Sequence, residues 1–130
     1  MYGINKFKVI RITPAIEEAA YAAGDVLFAA TEIPNAVLGL GGCSKIIGIS
    51  MLSQHDTATE DVGLVFMENS TNLGTINAAT SLADGDAEAA NLISGCTLNG
   101  SDNTLDLGAS SLYSTFAVPG NSAVTTFSPM

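Results

Sequence analysis

Residues 44–68 read SKIIGISMLSQHDTATEDVGLVFME, and the fold class turns on them. Two short apolar runs, 45–53 and 62–67, flank a polar patch that runs from Gln54 to Asp61. Each run has about the length of an ordinary strand and is rich in Ile, Val, Leu, Met and Phe. Side chains alternate faces along a strand, so Ile47, Ile49 and Met51 share one face of the first run, and Ile46 and Leu52 take the other. In the second run Leu64 and Phe66 oppose Val65 and Met67. Both faces are apolar, which predicts adjacent, antiparallel, central strands covered on each side.

Working outward, residues 7–13 form a strand candidate that Pro14 stops, because proline has no N–H for a ladder. Residues 15–23 read as a loop with at most one helical turn, ending at Gly24. Residues 25–33 form a second strand candidate, closed by Pro34. Gly39, Gly41 and Gly42 supply a flexible turn into the central pair. Residues 84–92 are the best helix candidate, with acids at the start that suit the helix dipole and Gly95 as its end. Residues 97–107 hold one or two short strands around a turn at 99–103. Residues 112–118 make a strand with Leu112, Ser114, Phe116 and Val118 on one face and Tyr113, Thr115 and Ala117 on the other. Residues 123–127 are a last strand candidate. Seven or eight short strands, dense turn residues and one short helix predict a mainly β chain, a β-sandwich or jelly-roll-like domain. At 130 residues it is expected to be a single domain, with residues 1–6 as a candidate N-terminal arm.

The chain carries 13 acidic and 4 basic residues, a net charge of -9, which argues against nucleic acid and against an anionic membrane surface as partners. The bases are unevenly placed. Lys6, Lys8 and Arg11 lie in the first eleven residues, Lys45 is the only later one, and every acid follows Arg11. A basic lead before an acidic body can dock on an acidic neighbour or on another copy; the alternative is a strand whose bases snorkel. Charged residues make up only 13% of the chain, about half the usual share, which suits a surface that faces other protein in an assembly. Cys43 and Cys96 are too few for a disulfide framework, and buried free thiols are expected. The N-terminus has no apolar signal-peptide core, and no run approaches the length of a membrane span.

No residue pattern supports catalysis. His55, beside Asp56, is the only histidine, and no Gly-x-Ser-x-Gly elbow accompanies it; Gly48-Ile-Ser50 lies inside a strand and lacks the second glycine. One His and two distant Cys do not make a zinc site. Asp84, Asp86 and Glu88 alternate as calcium ligands can, but they lack the EF-hand glycine and glutamate and read as a solvated helix start. Asp102 and Asp106 read as turn residues. Gly39-Leu-Gly41-Gly42 leads into a strand rather than a helix, unlike a phosphate loop. Glu17/Glu18 and Glu60/Asp61 are sequence neighbours that point different ways, not an acid–base pair. No enzyme activity, cofactor or metal is expected.

Several short pieces fall in a recognisable order. Ile12-Thr-Pro-Ala-Ile16 is followed by Ala20-Tyr-Ala-Ala-Gly-Asp-Val-Leu27, Ile33-Pro-Asn-Ala-Val37 and Gly41-Gly42. After them come the apolar pair ending at Phe66 and Met67, Ala83-Asp-Gly-Asp86, and Leu112-Tyr113. This order resembles a family of small tailed-phage virion proteins, over residues 7–118. The resemblance implies a structural protein of the virion, a decoration or cement protein on the outer capsid surface. Its partners would be the major capsid protein and further copies of itself, as a homotrimer. The family usually carries one more apolar strand beyond the segment that residues 123–127 match, so here either the sheet does not close in the same way or a neighbouring copy supplies the missing edge. Tyr2, Lys6, Phe7, Lys8 and Arg11 are the candidate residues of the capsid or oligomer interface. The alternatives are another virion role, such as a head-fibre base, neck or tail component, or a soluble ligand-binding sandwich module; the absence of Trp weakens a sugar-binding version of the last.

Overall fold

The computed structural model describes residues 8–37, 39, 41–54, 60–101 and 104–116. Two sheets and one short helix account for its regular structure. In chain order the elements are β1 (Gly48–Ser53), β2 (Val62–Met67), α1 (Asp84–Ala90), β3 (Leu92–Leu98), β4 (Thr104–Asp106) and β5 (Ser111–Phe116). The chain divides into two compact units, one of Met1–Leu40 with Asn69–Ala90 and one of Gly41–Glu68 with Asn91–Met130.

The second unit holds all five strands. One sheet has the order β1-β5-β4 and the other pairs β2 with β3, all antiparallel. The two runs expected to pair with each other therefore sit in different sheets, β1 at an edge and β2 in a two-stranded ribbon. The physical reason lies in the connection. A hairpin is enforced by a short turn of two to five residues, whereas eight residues, 54–61, separate these strands. Each strand is free to take a more distant partner: β1 runs Gly48 against Phe116 to Ser53 against Ser111, and β2 runs Val62 against Leu98 to Met67 against Leu92.

Neither strand is covered on both faces. In β2, Val62, Leu64 and Phe66 are half-buried while Gly63 and Val65 are exposed. In β1, Ile49, Met51 and Ser53 are half-buried and Leu52 is exposed. Residues opposite each other in an antiparallel ladder share a face. The inner face of the first sheet thus combines Ile49 and Met51 with Tyr113 and Ser111, both buried. The inner face of the second combines Leu64 with Cys96 and Val62 with Leu98, the largest fully buried side chain among the described residues. Strand β3 comes close to β5, where the two sheets meet. The ladder slips between Phe66 and Met67, as Met67 pairs with Leu92 and leaves Ile93 as the extra residue of a bulge.

The first unit is mostly loop. The Tyr-x-x-Gly-Asp piece forms a closed turn. The Asp25 N–H donates to the Ala22 carbonyl at 3.1 Å, and the Ala22 N–H donates to Asp25 Oδ2 at 2.7 Å. Gly24 between them has φ 90°, a conformation costly for any residue with a Cβ. The Tyr21 hydroxyl accepts from the Glu17 N–H at 2.8 Å and donates to the Leu27 carbonyl at 3.2 Å, tying residues 17–27 together without a helix. The strand expected over 25–33 shrinks to isolated bridges, Asp25 with Ala79 and Val26 with Ile76. Beyond Val26 the backbone finds side chains instead: the Ala30 N–H donates to Asn72 Oδ1 at 3.0 Å. Buried Val26 packs beside Gly74, whose φ of 145° and close neighbours would crowd a Cβ.

Helix α1 begins where the Ala83 carbonyl accepts from the Asp86 and Ala87 N–H groups, with Asp84 and Asp86 in its first turn. It ends at Ala90, earlier than expected. Asn91 adopts φ 49°, the left-handed conformation that asparagine tolerates, so the helix stop assigned to Gly95 falls to Asn91. Gly95 instead lies inside β3, opposite Val65.

The strand expected over 7–13 does not form. Residues 8–13 carry no regular structure, and no hydrogen bond joins the backbone of 8–16 to a described residue. The expected strand at 123–127 and the arm at 1–6 lie outside the described residues. No helix among the described residues is long and apolar enough to cross a membrane.

Candidate functional site

Among the described residues, the candidates for chemistry form no cluster. Asp84 and Asp86 open α1 and, with Glu88, are exposed to solvent. Among the described residues no group of three or more His, Cys, Asp or Glu side chains could hold a metal ion. Gly39 and Gly41 have φ of 82° and 70° and lead toward β1, a turn rather than a phosphate cradle. Asp106 ends β4 and accepts from the Gly108 N–H at 2.7 Å, the turn role expected of it. His55, Asp56 and Asp102 lie outside the described residues.

Both cysteines are free, and neither is fully buried as expected: Cys43 is exposed, and Cys96 is half-buried in β3. Burial raises the Cys96 thiol above its ordinary value, which disfavours its thiolate form.

One polar cluster is built within the second unit. Asp61, just before β2, accepts from the buried Gly100 N–H at 2.9 Å, and the Thr104 hydroxyl donates to the Gly100 carbonyl. These contacts pin the turn between β3 and β4. Glu60 and Asp61 also act on Tyr113. Burial of the phenol raises its pKa first, and the two carboxylates add to that, since each disfavours a phenolate. The cluster is structural: it anchors a turn and holds Tyr113 neutral.

What the structure does bring together is apolar surface. On the outer face of the first sheet Leu52 lies opposite Leu112, and Leu112 lies opposite Leu105. Three leucines from three strands form one row across the sheet. Leu52 is 63% exposed and Leu105 is 58% exposed. Leu107, just after β4, is also exposed. On the second sheet Val65, Leu92 and Ile93 are exposed as well. The alternation placed Leu52 with Ile46 on the face opposite Ile49 and Met51, but the row becomes visible only once the partners of β1 and β4 are known.

Of the candidate interface residues, Lys8 and Arg11 are exposed in the extended segment of the first unit. Tyr2, Lys6 and Phe7 lie outside the described residues. No protein-family profile, no curated protein and no solved structure matches the chain.

Proposed function

We propose that this chain is a non-enzymatic structural protein of a phage virion, a decoration or cement protein that binds the outer surface of the head and stabilises capsomer junctions. The leucine row Leu52–Leu112–Leu105, exposed at Leu52 and Leu105, is the observation that supports it most. A weakly charged chain that leaves such a row on one sheet face is suited to burying that face against protein. The order of motifs over residues 7–118 supports the same reading. In this reading the two sheets are the layers of a jelly-roll-like β-sandwich making a single domain, with the inner faces around Leu98 and Tyr113 as its filling. The chain acts as a homotrimer on the major capsid protein. Tyr2, Lys6, Phe7, Lys8 and Arg11 carry its capsid or oligomer interface. Several weak contacts per trimer add up through avidity, so no single contact has to be strong.

The test is reconstitution. Purified chain is added to heads that lack it, and bound copies and resistance to osmotic shock are measured. Saturable binding at many sites over the whole head, with greater resistance, is the expected result. Removal of residues 1–5 should weaken binding and leave the circular dichroism spectrum unchanged. Binding confined to one vertex would point to a neck or tail component. No binding to heads would refute the proposal.

A further inference from the structure

We propose that residues 8–13 are a β-strand donated in trans, which pairs with the outer edge of β2 in a second copy of this chain. The segment reads Lys-Val-Ile-Arg-Ile-Thr, four of its six residues being β-branched. Its exposure alternates as a strand's does: Ile10, Ile12 and Pro14 are half-buried, while Val9, Arg11, Thr13 and Ala15 are exposed. Val9 is 92% exposed. The backbone of 8–16 makes no hydrogen bond to a described residue. Strand addition of this kind is a recurrent mode of peptide recognition.

Charge selects the acceptor. The segment carries Lys8 and Arg11 and no acid. Strand β1 follows Lys45 and has a single acid, Asp56, three residues beyond its end; β4 is only three residues long, and β3 contains no acid. By contrast β2 is preceded directly by Glu60 and Asp61, and no base occurs from 60 to 68. Strand β2 belongs to a two-stranded sheet, so the side of residues 62–65 away from β3 carries no strand among the described residues. A basic strand laid there neutralises that charge and covers an edge that would otherwise invite indiscriminate pairing. Repeated between copies, a head-to-tail exchange of this kind closes into a ring. The inference goes beyond the virion reading and is tested without capsids, so either can fail alone.

The experiment uses the full chain. Its mass is followed by light scattering over a wide concentration range, together with amide hydrogen exchange. Association is expected, with the amides of residues 9–13 becoming protected as it proceeds. Val9→Pro removes one backbone donor at a site where the side chain is in water and the N–H has no acceptor among the described residues. It should leave the circular dichroism spectrum unchanged and raise the dissociation constant about tenfold or more. K8E/R11E should dissociate the assembly likewise, and adding Glu60→Lys to that variant should restore it. A monomer at every concentration would overturn the proposal. So would an oligomer whose 9–13 amides exchange freely, protection that does not depend on concentration, or a Val9→Pro variant that associates as well as the parent. If Glu60→Lys restores nothing, β2 is not the acceptor.

Discussion

Leu98 and Leu52 are both strand leucines, and the structure assigns them opposite energetic roles. Leu98 is 0% exposed, on the inner face of β3 opposite Val62. Leu98→Ala loses about 1.5–3 kcal/mol of transfer free energy and leaves a cavity that the paired strands cannot fully close. The sum falls in the range of about 2–5 kcal/mol for buried Leu→Ala changes, and about 3 kcal/mol is expected here. Leu52 is 63% exposed on the outer face of β1. Only about a third of its surface leaves water on folding, so Leu52→Ala should cost about 0.5–1 kcal/mol, with no cavity because solvent fills the space. Equilibrium urea unfolding of dilute protein reads both. With a slope of about 2 kcal/mol per molar, Leu98→Ala lowers the midpoint by about 1.5 M and Leu52→Ala by less than about 0.5 M, with the slope unchanged in each. Equal losses at the two positions would refute the one-faced reading of β1. They are what a central strand covered on both sides would give.

Two further outcomes are expected. Burial and the neighbouring carboxylates raise the Tyr113 pKa from 10.0, so the folded state holds that proton more tightly than the unfolded chain. The resulting stability is complete below about pH 10 and is lost as pH climbs toward the raised value; Tyr113→Phe should flatten this alkaline fall in a pH series of urea midpoints, whereas an identical fall in the variant would remove Tyr113 as its source. Gly24 and Gly74 both have positive φ, but a Cβ at Gly24 meets nothing within 4 Å, while at Gly74 it meets the Ser81 nitrogen at 3.2 Å and the Ala79 oxygen at 3.3 Å. Gly24→Ala should therefore cost about 1 kcal/mol from backbone strain alone and Gly74→Ala about 2–3 kcal/mol, as read from thermal midpoints; the reverse order would contradict the tight packing of residues 74–81 around Val26.

The local character of the chain was legible, and its pairing was not. Period-two alternation located β1, β2 and β5 to within a few residues, and the turn residues at 99–103 separated β3 from β4. These signals depend only on near neighbours. The partner of β1 lies some sixty residues away, and nothing in either run records it. Ile46 and Leu52 suggested a second covered face because an apolar residue is compatible with burial without requiring it. Helix α1 ran past its true end on paper because Gly95 is a familiar stop, whereas Asn91 reaches the left-handed conformation and β3 then captures Leu92 onward. The strand expected over 25–33 failed for a related reason: Ala30 finds the Asn72 side chain, so the apolar run gains its hydrogen bonds without a ladder.

The candidate interface was legible through charge alone. The bases of the lead stand apart from an acidic body in any reading of the chain, and the structure adds what charge could not supply. Residues 8–13 have strand-like alternation and β-branched residues but no backbone partner among the described residues. A sequence that is β-prone yet unpaired is a local preference at odds with its surroundings, and such conflicts concentrate at sites of function. The leucine row is a conflict of the same kind, with apolar side chains turned outward from a sheet whose other face is already filled. Segment 8–13 and the leucine row are separate features of the described residues, and in the proposed reading each would be satisfied by contact with protein. Association of copies would satisfy the strand, and a larger surface would satisfy the row. A chain that needed only to be stable alone would have charged the row and shortened the strand, which is how free β proteins protect exposed edges and faces.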